Sequence, residues 1–379
     1  MPAHRAVSRA VALLNLTGIC RSPINAVRWE RIEPWSAARV YLGSGTDART
    51  LVVKWIEDGP GQAPTAHRRL RTELAALQFL GDDIGTGLAP RVIAADTGLL
   101  VLEDLAPRVA LDRLIRRDGA APHSERLAAF ARARGELGAA TAGQGDTYYS
   151  RLARLGSIDP AADRMGRHAS HRDAGIAHAV ALGAPLDGRS ARELAATLDE
   201  LCDPGPFLAL SNGDAEANNI LLHASGTPDA RLIDFEFAGY AHALTDAVCL
   251  YVPGPAWMSV GDPQRTGLAG HYRSALARTV PEAEDDRRYG FGLAAASMSW
   301  ALIRMQRFAV LDTRPPGHHS RLQLIATLEA AAHTAETHHA LPHLSAWIHL
   351  IATLLRHRWR DADQDYADAA TFPPYLART

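Results

Sequence analysis

Four side chains carry the most recognisable chemistry in this sequence. In SNGDAEANNILL, Asp214 precedes Asn219 by five residues, and fifteen residues further on LIDFE supplies Asp234 and Glu236. Phosphoryl transfer from ATP needs a carboxylate to orient the acceptor hydroxyl, oxygen ligands to hold magnesium on the phosphates, and a cation on the phosphates themselves. The acids and the amide provide the first two kinds of group. The cation is conspicuous: Lys54 is the one lysine among 40 basic residues. It interrupts the apolar run LVVKWI, where a charge is costly without a partner or a ligand. Asn, Asp and Gly also dominate ordinary surface turns, but the flanking runs LALS and ILLH place the Asp214 loop between buried segments.

The elements that must position these groups fall into two stretches. From about residue 26 to 105, VRWERIE, ARVYLG, TLVVKWIE, RVIAAD and LLVLEDL read as short strands separated by Gly, Asp and Pro. One helix lies among them, TAHRRLRTELAALQFL, with Leu70, Leu74, Leu77 and Leu80 at helical spacing and Glu73 beside that stripe. Three strands, a helix and two strands predict a small antiparallel sheet with one packed helix, an α+β lobe. After residue 106 helical patterns dominate, interrupted by FLALSNGDAEANNILLH and ARLIDFEFAGY. The stretch 156–191, with its Gly, Pro, Asp and His, reads as a loop or irregular insertion. The expected division is an N-terminal nucleotide-binding lobe over 1–105 and a helical catalytic and acceptor-binding lobe over 106–379. The first twenty residues read as an amphipathic helix, because Asn15 and Thr17 interrupt their apolar run too early for a targeting segment.

Composition narrows the function classes. With 379 residues, 47% hydrophobic and 22% charged, the chain can bury a full core in two domains. A net charge of -2 offers no global field for nucleic acid or an anionic membrane, and no apolar run reaches the roughly 20 residues that cross a bilayer. Neither nucleic acid nor membrane is expected as a partner. Cys20, Cys202 and Cys249 fit neither metal-ligand spacing nor a disulfide framework, which favours the cytoplasm. The paired histidines His168 and His171, His318 and His319, and His338 and His339 lack metal-site spacing and read as solvated surface. Trp257, Trp300 and Tyr272 are candidates for lining an acceptor pocket, with core packing the alternative. Glu282, Glu284, Asp285 and Asp286 read as a solvated helix start.

The order of Lys54, Glu73, Asp214 with Asn219, and Asp234-Phe235 matches the kinase template. NGDAEANNIL resembles the HGDxxxxN loop of aminoglycoside phosphotransferases and related choline and sugar kinases, and IDFE resembles their IDxE metal motif. The resemblance covers roughly residues 26–250. It implies a bilobal, protein-kinase-like α+β fold and transfer of the γ-phosphate of ATP, with Mg2+, to a hydroxyl of a small molecule. It further implies that Asp214 is the catalytic carboxylate, Asn219 and Asp234 are magnesium ligands, and Glu236 is a second-metal ligand or a support for one. Lys54 would hold the α and β phosphates and pair with Glu73. Glu103, Asp104 and Leu105 resemble the hinge that receives the adenine edge, and Asp246 the residue that supports the catalytic loop. The sequence departs from the pattern at Asn212, where the family has His, and over Pro34–Ala38, where Ser36 stands as the phosphate donor in place of a glycine-rich cover. A nucleotide-binding pseudokinase is the alternative. A protein kinase is disfavoured by Glu236 in place of Gly and by the lack of an APE segment.

Overall fold

The computed structural model describes residues 2–18, 27–33, 35–43, 49–57, 63–166, 168–252, 263–316 and 318–362. Cys20, Pro34 and Trp257 lie outside them. The chain divides into two compact units: Met1–Arg108 with Asp146–Ile158 and Arg231–Ala238, and Val109–Gly145 with Asp159–Ala230 and Gly239–Thr379.

In the first unit the β-branched and aliphatic runs form the expected strands, β1 (Val27–Arg31), β2 (Ala37–Leu42), β3 (Arg49–Trp55), β4 (Val92–Asp96) and β5 (Leu99–Glu103). They make one antiparallel sheet in the order β1-β2-β3-β5-β4. Helix α1 (Ala3–Leu16) sets Ala6, Val7, Ala10 and Leu14 against Val40, Val53 and Val101 of the sheet. Helix α2 (Ala63–Gln78) carries Glu73 and runs into a π-helical turn, Phe79–Asp83. The later segments are tied in locally. The Phe79 and Tyr148 rings pack edge to face at 5.7 Å, and the Leu232 N–H donates to the Leu88 carbonyl at 2.7 Å.

The second unit is helical around Met298, Leu302, Ile325, Leu328, Ile348 and Ile351, all fully buried. Two short antiparallel pairs interrupt the helices, Leu208–Ser211 with Gly239–His242 and Val109–Ala110 with Leu221–Leu222. They present the Asp214 loop.

The stretch 156–191 corrects the sequence reading. It is mostly helical, with a π-helical turn at Ala162–Gly166, a helix at Ala169–Ala181, and the start of another at Gly188–Cys202 capped by Asp187. Gly175 marks close packing there. A Cβ built on it would lie 2.0 Å from the Leu302 carbonyl oxygen of helix Asp286–Met305, so the two helices can touch only where a side chain is missing.

Smaller expectations were met in part. Asp285 caps helix Asp286–Met305 by accepting the Arg287 and Arg288 N–H groups at 2.9 and 3.0 Å. Tyr272 is core, its hydroxyl donating to the Ala243 carbonyl at 2.7 Å. His318 accepts the Ser320 N–H at a helix start, and His338 is half-buried against Tyr289, so these two are not free surface. Among the described residues, Cys202 and Cys249 are free thiols, and no helix is long and apolar enough to cross a membrane.

Candidate active site

In the first unit the cation meets its carboxylates. Antiparallel pairing sets Lys54 on β3 opposite Ala37 on one side and Leu100 on the other. Its ammonium donates to both Glu73 oxygens, at 2.7 and 2.8 Å, and to Asp234 Oδ1 at 2.9 Å. Glu73 is 3% exposed, so this is a largely desolvated pair whose partners must be matched closely. Burial alone would lower a lysine, but the Glu73 and Asp234 carboxylates outweigh it and hold the Lys54 ammonium above its usual range.

Asp234 adopts a left-handed backbone, with φ at +64°, uncommon for a residue with a side chain. The fully buried Phe235 anchors the turn that follows it. Burial and the Asp234 charge raise the Glu236 carboxyl, and Arg69, 3.7 Å away and stacked on Phe237, opposes the rise.

The hinge expectation falls at the end of β5. Asp104 binds Arg39 through two hydrogen bonds, at 2.7 and 3.2 Å, and accepts the Ala106 N–H at 3.0 Å. Glu103 is engaged with Arg91 through its own N–H and its carboxylate. The Leu105 carbonyl takes the Arg108 N–H, while the Leu105 N–H makes no hydrogen bond among the described residues. Ser36 is half-buried, and its carbonyl accepts the Trp55 N–H at 3.0 Å.

In the second unit the Asp214 loop is bound from within and from below. Asn219 donates its amide to both the backbone and the side-chain oxygen of Asp214, each at 2.9 Å, so the five-residue spacing does bring the two together. Asn212, fully buried, accepts the Asp214 N–H at 3.3 Å and Arg134 Nη1 at 2.8 Å. Ser211 Oγ accepts the Gly213 N–H at 2.9 Å and donates to Asp246, whose other oxygen faces Arg134 at 3.8 Å. Arg134 also reaches the Glu216 carbonyl at 3.3 Å. One buried guanidinium thus braces the loop at three points.

Sequence reasoning missed Arg134, although a signal existed. In Leu127, Phe130, Ala131, Arg134 and Leu137 the helical spacing puts an arginine on the buried stripe of helix Ser124–Thr141. That helix closes on its neighbour at Gly135, where a Cβ would meet the Tyr272 carbonyl oxygen at 2.3 Å. Glu216 was also missed. Burial and the neighbouring Asp214 carboxylate push its carboxyl up to about 7. Glu216 lines a cavity of about 140 Å³ within the second unit, with Trp300 and Ile303 on its apolar wall.

Each unit presents an oxygen of the kind that a divalent cation takes. Asp234 Oδ2 makes no hydrogen bond among the described residues, and Asn219 Oδ1, which accepts Asn218 Nδ2 at 2.9 Å, keeps a second lone pair. Hard cations take such oxygens. Among the described residues no three His, Cys, Asp or Glu side chains cluster as a metal site, so any such ion would draw on amide and phosphate oxygens as well.

The model of the phosphotransferase enzyme family matches residues 28–291. No curated protein matches the sequence. Solved structures similar to the chain include an ethanolamine kinase of Plasmodium vivax, 11% identical over 80% of this chain and 81% of that one, with a TM-score of 0.47. A macrolide 2'-phosphotransferase of Brachybacterium faecium is 14% identical over 83% and 97%, with a TM-score of 0.45.

Proposed function

From the premise that the chain belongs to the phosphotransferase enzyme family, we propose that it moves the γ-phosphoryl group of ATP to a hydroxyl of a small molecule in a magnesium-dependent reaction. The observation that carries this reading is the bonding of Lys54 to Glu73 and Asp234, because a lone lysine held charged and aimed by two acids is what binding of nucleotide phosphates requires. Lys54 contacts the α and β phosphates, and Glu73 fixes its direction. The Leu105 N–H and the Glu103 carbonyl meet the adenine edge, and Ser36 sits over the phosphates. Asp214 orients the acceptor hydroxyl and takes its proton as the new oxygen–phosphorus bond forms. The bond from the γ-phosphorus to the bridging oxygen breaks, and ADP leaves with its electron pair. Asn219 and Asp234 would hold magnesium, with Glu236 beside them, and the bound ion would supply neutralisation of charge on the phosphates. The reading draws on groups of both units, with 1–105 as the nucleotide part and 106–379 as the catalytic and acceptor part.

Lys54→Met tests the carrying observation. Removing the cation from the α and β phosphates, where charge builds as ADP leaves, is expected to lower turnover by about 10²–10³-fold. Circular dichroism would check that the variant is folded. A folded variant that keeps wild-type ATP turnover would overturn the assignment.

A further inference from the structure

The cavity beside Asp214 carries charges that phosphoryl transfer alone does not use. Of its acids, Asp246 is held by Ser211 and Arg134, and Glu216 faces the charges of Arg304 and Arg134. His242, also in the wall, lies 3.1 Å from Glu200. Asp163 shares a turn with Arg164.

Two cations are different. Arg164, on the π-helical turn Ala162–Gly166, and Arg172, on helix Ala169–Ala181, line the same cavity. Both are half-buried, and neither side chain makes a hydrogen bond or ion pair among the described residues. Two guanidiniums that line one partly enclosed space with no carboxylate bonded to either are open to an anion, and their forked donors match carboxylate and phosphate oxygens. The apolar wall from Trp300 to Ile303 leaves room for a short carbon chain, and 140 Å³ is below the roughly 300–1,000 Å³ of clefts for drug-sized ligands.

We propose that the acceptor is a compact hydroxy compound bearing an anionic group, a carboxylate or a phosphate, which Arg164 and Arg172 hold while its hydroxyl lies toward Asp214. This rests on the phosphotransferase reading and names its substrate class. Arg164 and Arg172 are then positioning and specificity residues, acting on the acceptor at the end away from the reacting oxygen.

Four three-carbon probes share one frame and differ in charge: glycerate, glycerol 3-phosphate, glycerol and 3-amino-1,2-propanediol. Calorimetric binding to the full chain, and ADP release with magnesium and ATP, would be measured for wild type, Arg164→Gln and Arg172→Gln. At least one anion is expected to bind tenfold or more tighter than glycerol, about 1.4 kcal/mol, and the amine no tighter. Each glutamine variant is expected to erase that preference while affinity for ATP stays unchanged. Preference for glycerate would assign a carboxylate acceptor, and preference for glycerol 3-phosphate a phosphorylated one. The inference is overturned if neither anion binds better than glycerol, if the amine is preferred, or if both glutamine variants keep the preference. Arginine-dependent anion binding without any ADP release would leave the anion site of Arg164 and Arg172 standing and contradict the phosphotransferase reading that makes its ligand an acceptor. ADP release stimulated best by glycerol or the amine would do the reverse.

Discussion

Arg134 shows how a departure from a family motif is absorbed by its surroundings. Asn212 stands where the family has His, yet its side chain is buried, hydrogen-bonded to Asp214 and to a guanidinium that also faces Asp246. The geometry of the loop is therefore kept by a different donor. Arg134→Met would leave the Asn212 oxygen and the Asp246 carboxylate buried without it, and breaking such a pair costs about 3–5 kcal/mol. Chemical denaturation should record a loss of that order. A loss below about 1 kcal/mol would mean that the brace contributes little. Glu216 offers a second test at this scale. A carboxyl raised to about 7 by folding binds its proton more tightly in the folded chain than in the unfolded one. Its contribution to stability is thus full below the usual carboxylate range and is lost as pH rises through about 7. Glu216→Gln should melt above wild type at pH 8, and the two curves should converge toward pH 4. Parallel curves would contradict the assignment.

Among the elements, strands were the most legible part of the sequence. The runs around Val40, Val53 and Val101 are short, β-branched and bounded by turn residues, and local pattern is enough to name such strands. Lys54 was legible for a different reason, since a lone lysine in an apolar run signals a cost that something must offset, whereas its pairing with Glu73 and the Asp214–Asn219 spacing were legible through the resemblance to the kinase motifs. The helix Ala169–Ala181 was not legible, because glycine reads locally as a breaker, and the Leu302 backbone that makes Gly175 necessary lies far along the chain. Gly175→Ala tests this. Overpacking of a close helix contact costs about 1–3 kcal/mol, and the denaturation midpoint should fall accordingly. An unchanged midpoint would show that the helices can separate without cost.

At the scale of the whole molecule, composition offers an expectation about nucleic acid and membranes and says little about an acceptor. Arg164 and Arg172 are two arginines in a chain that uses arginine for nearly every positive charge, so nothing in their spacing distinguishes them from solvated neighbours. Only the fold brings them to the cavity of Asp214 and Glu216. Nucleotide binding is a proposal that only the full chain can test. A ligand that binds only the folded chain stabilises it by about 2.7 kcal/mol at a hundred times its Kd. Magnesium and ATP together should therefore raise the melting midpoint, and Asp234→Asn should remove the part of the shift that depends on magnesium. A shift indifferent to magnesium in both proteins would contradict the ligand role of Asp234.

The most direct test of phosphoryl transfer is the release of ADP from magnesium and ATP in the presence of an acceptor, compared between wild type and Asp214→Asn. Acceptor-stimulated turnover is expected to fall by about 10²–10⁴-fold in the variant while its affinity for ATP is retained. Equal turnover in the two proteins, or no nucleotide binding by wild type, would contradict it.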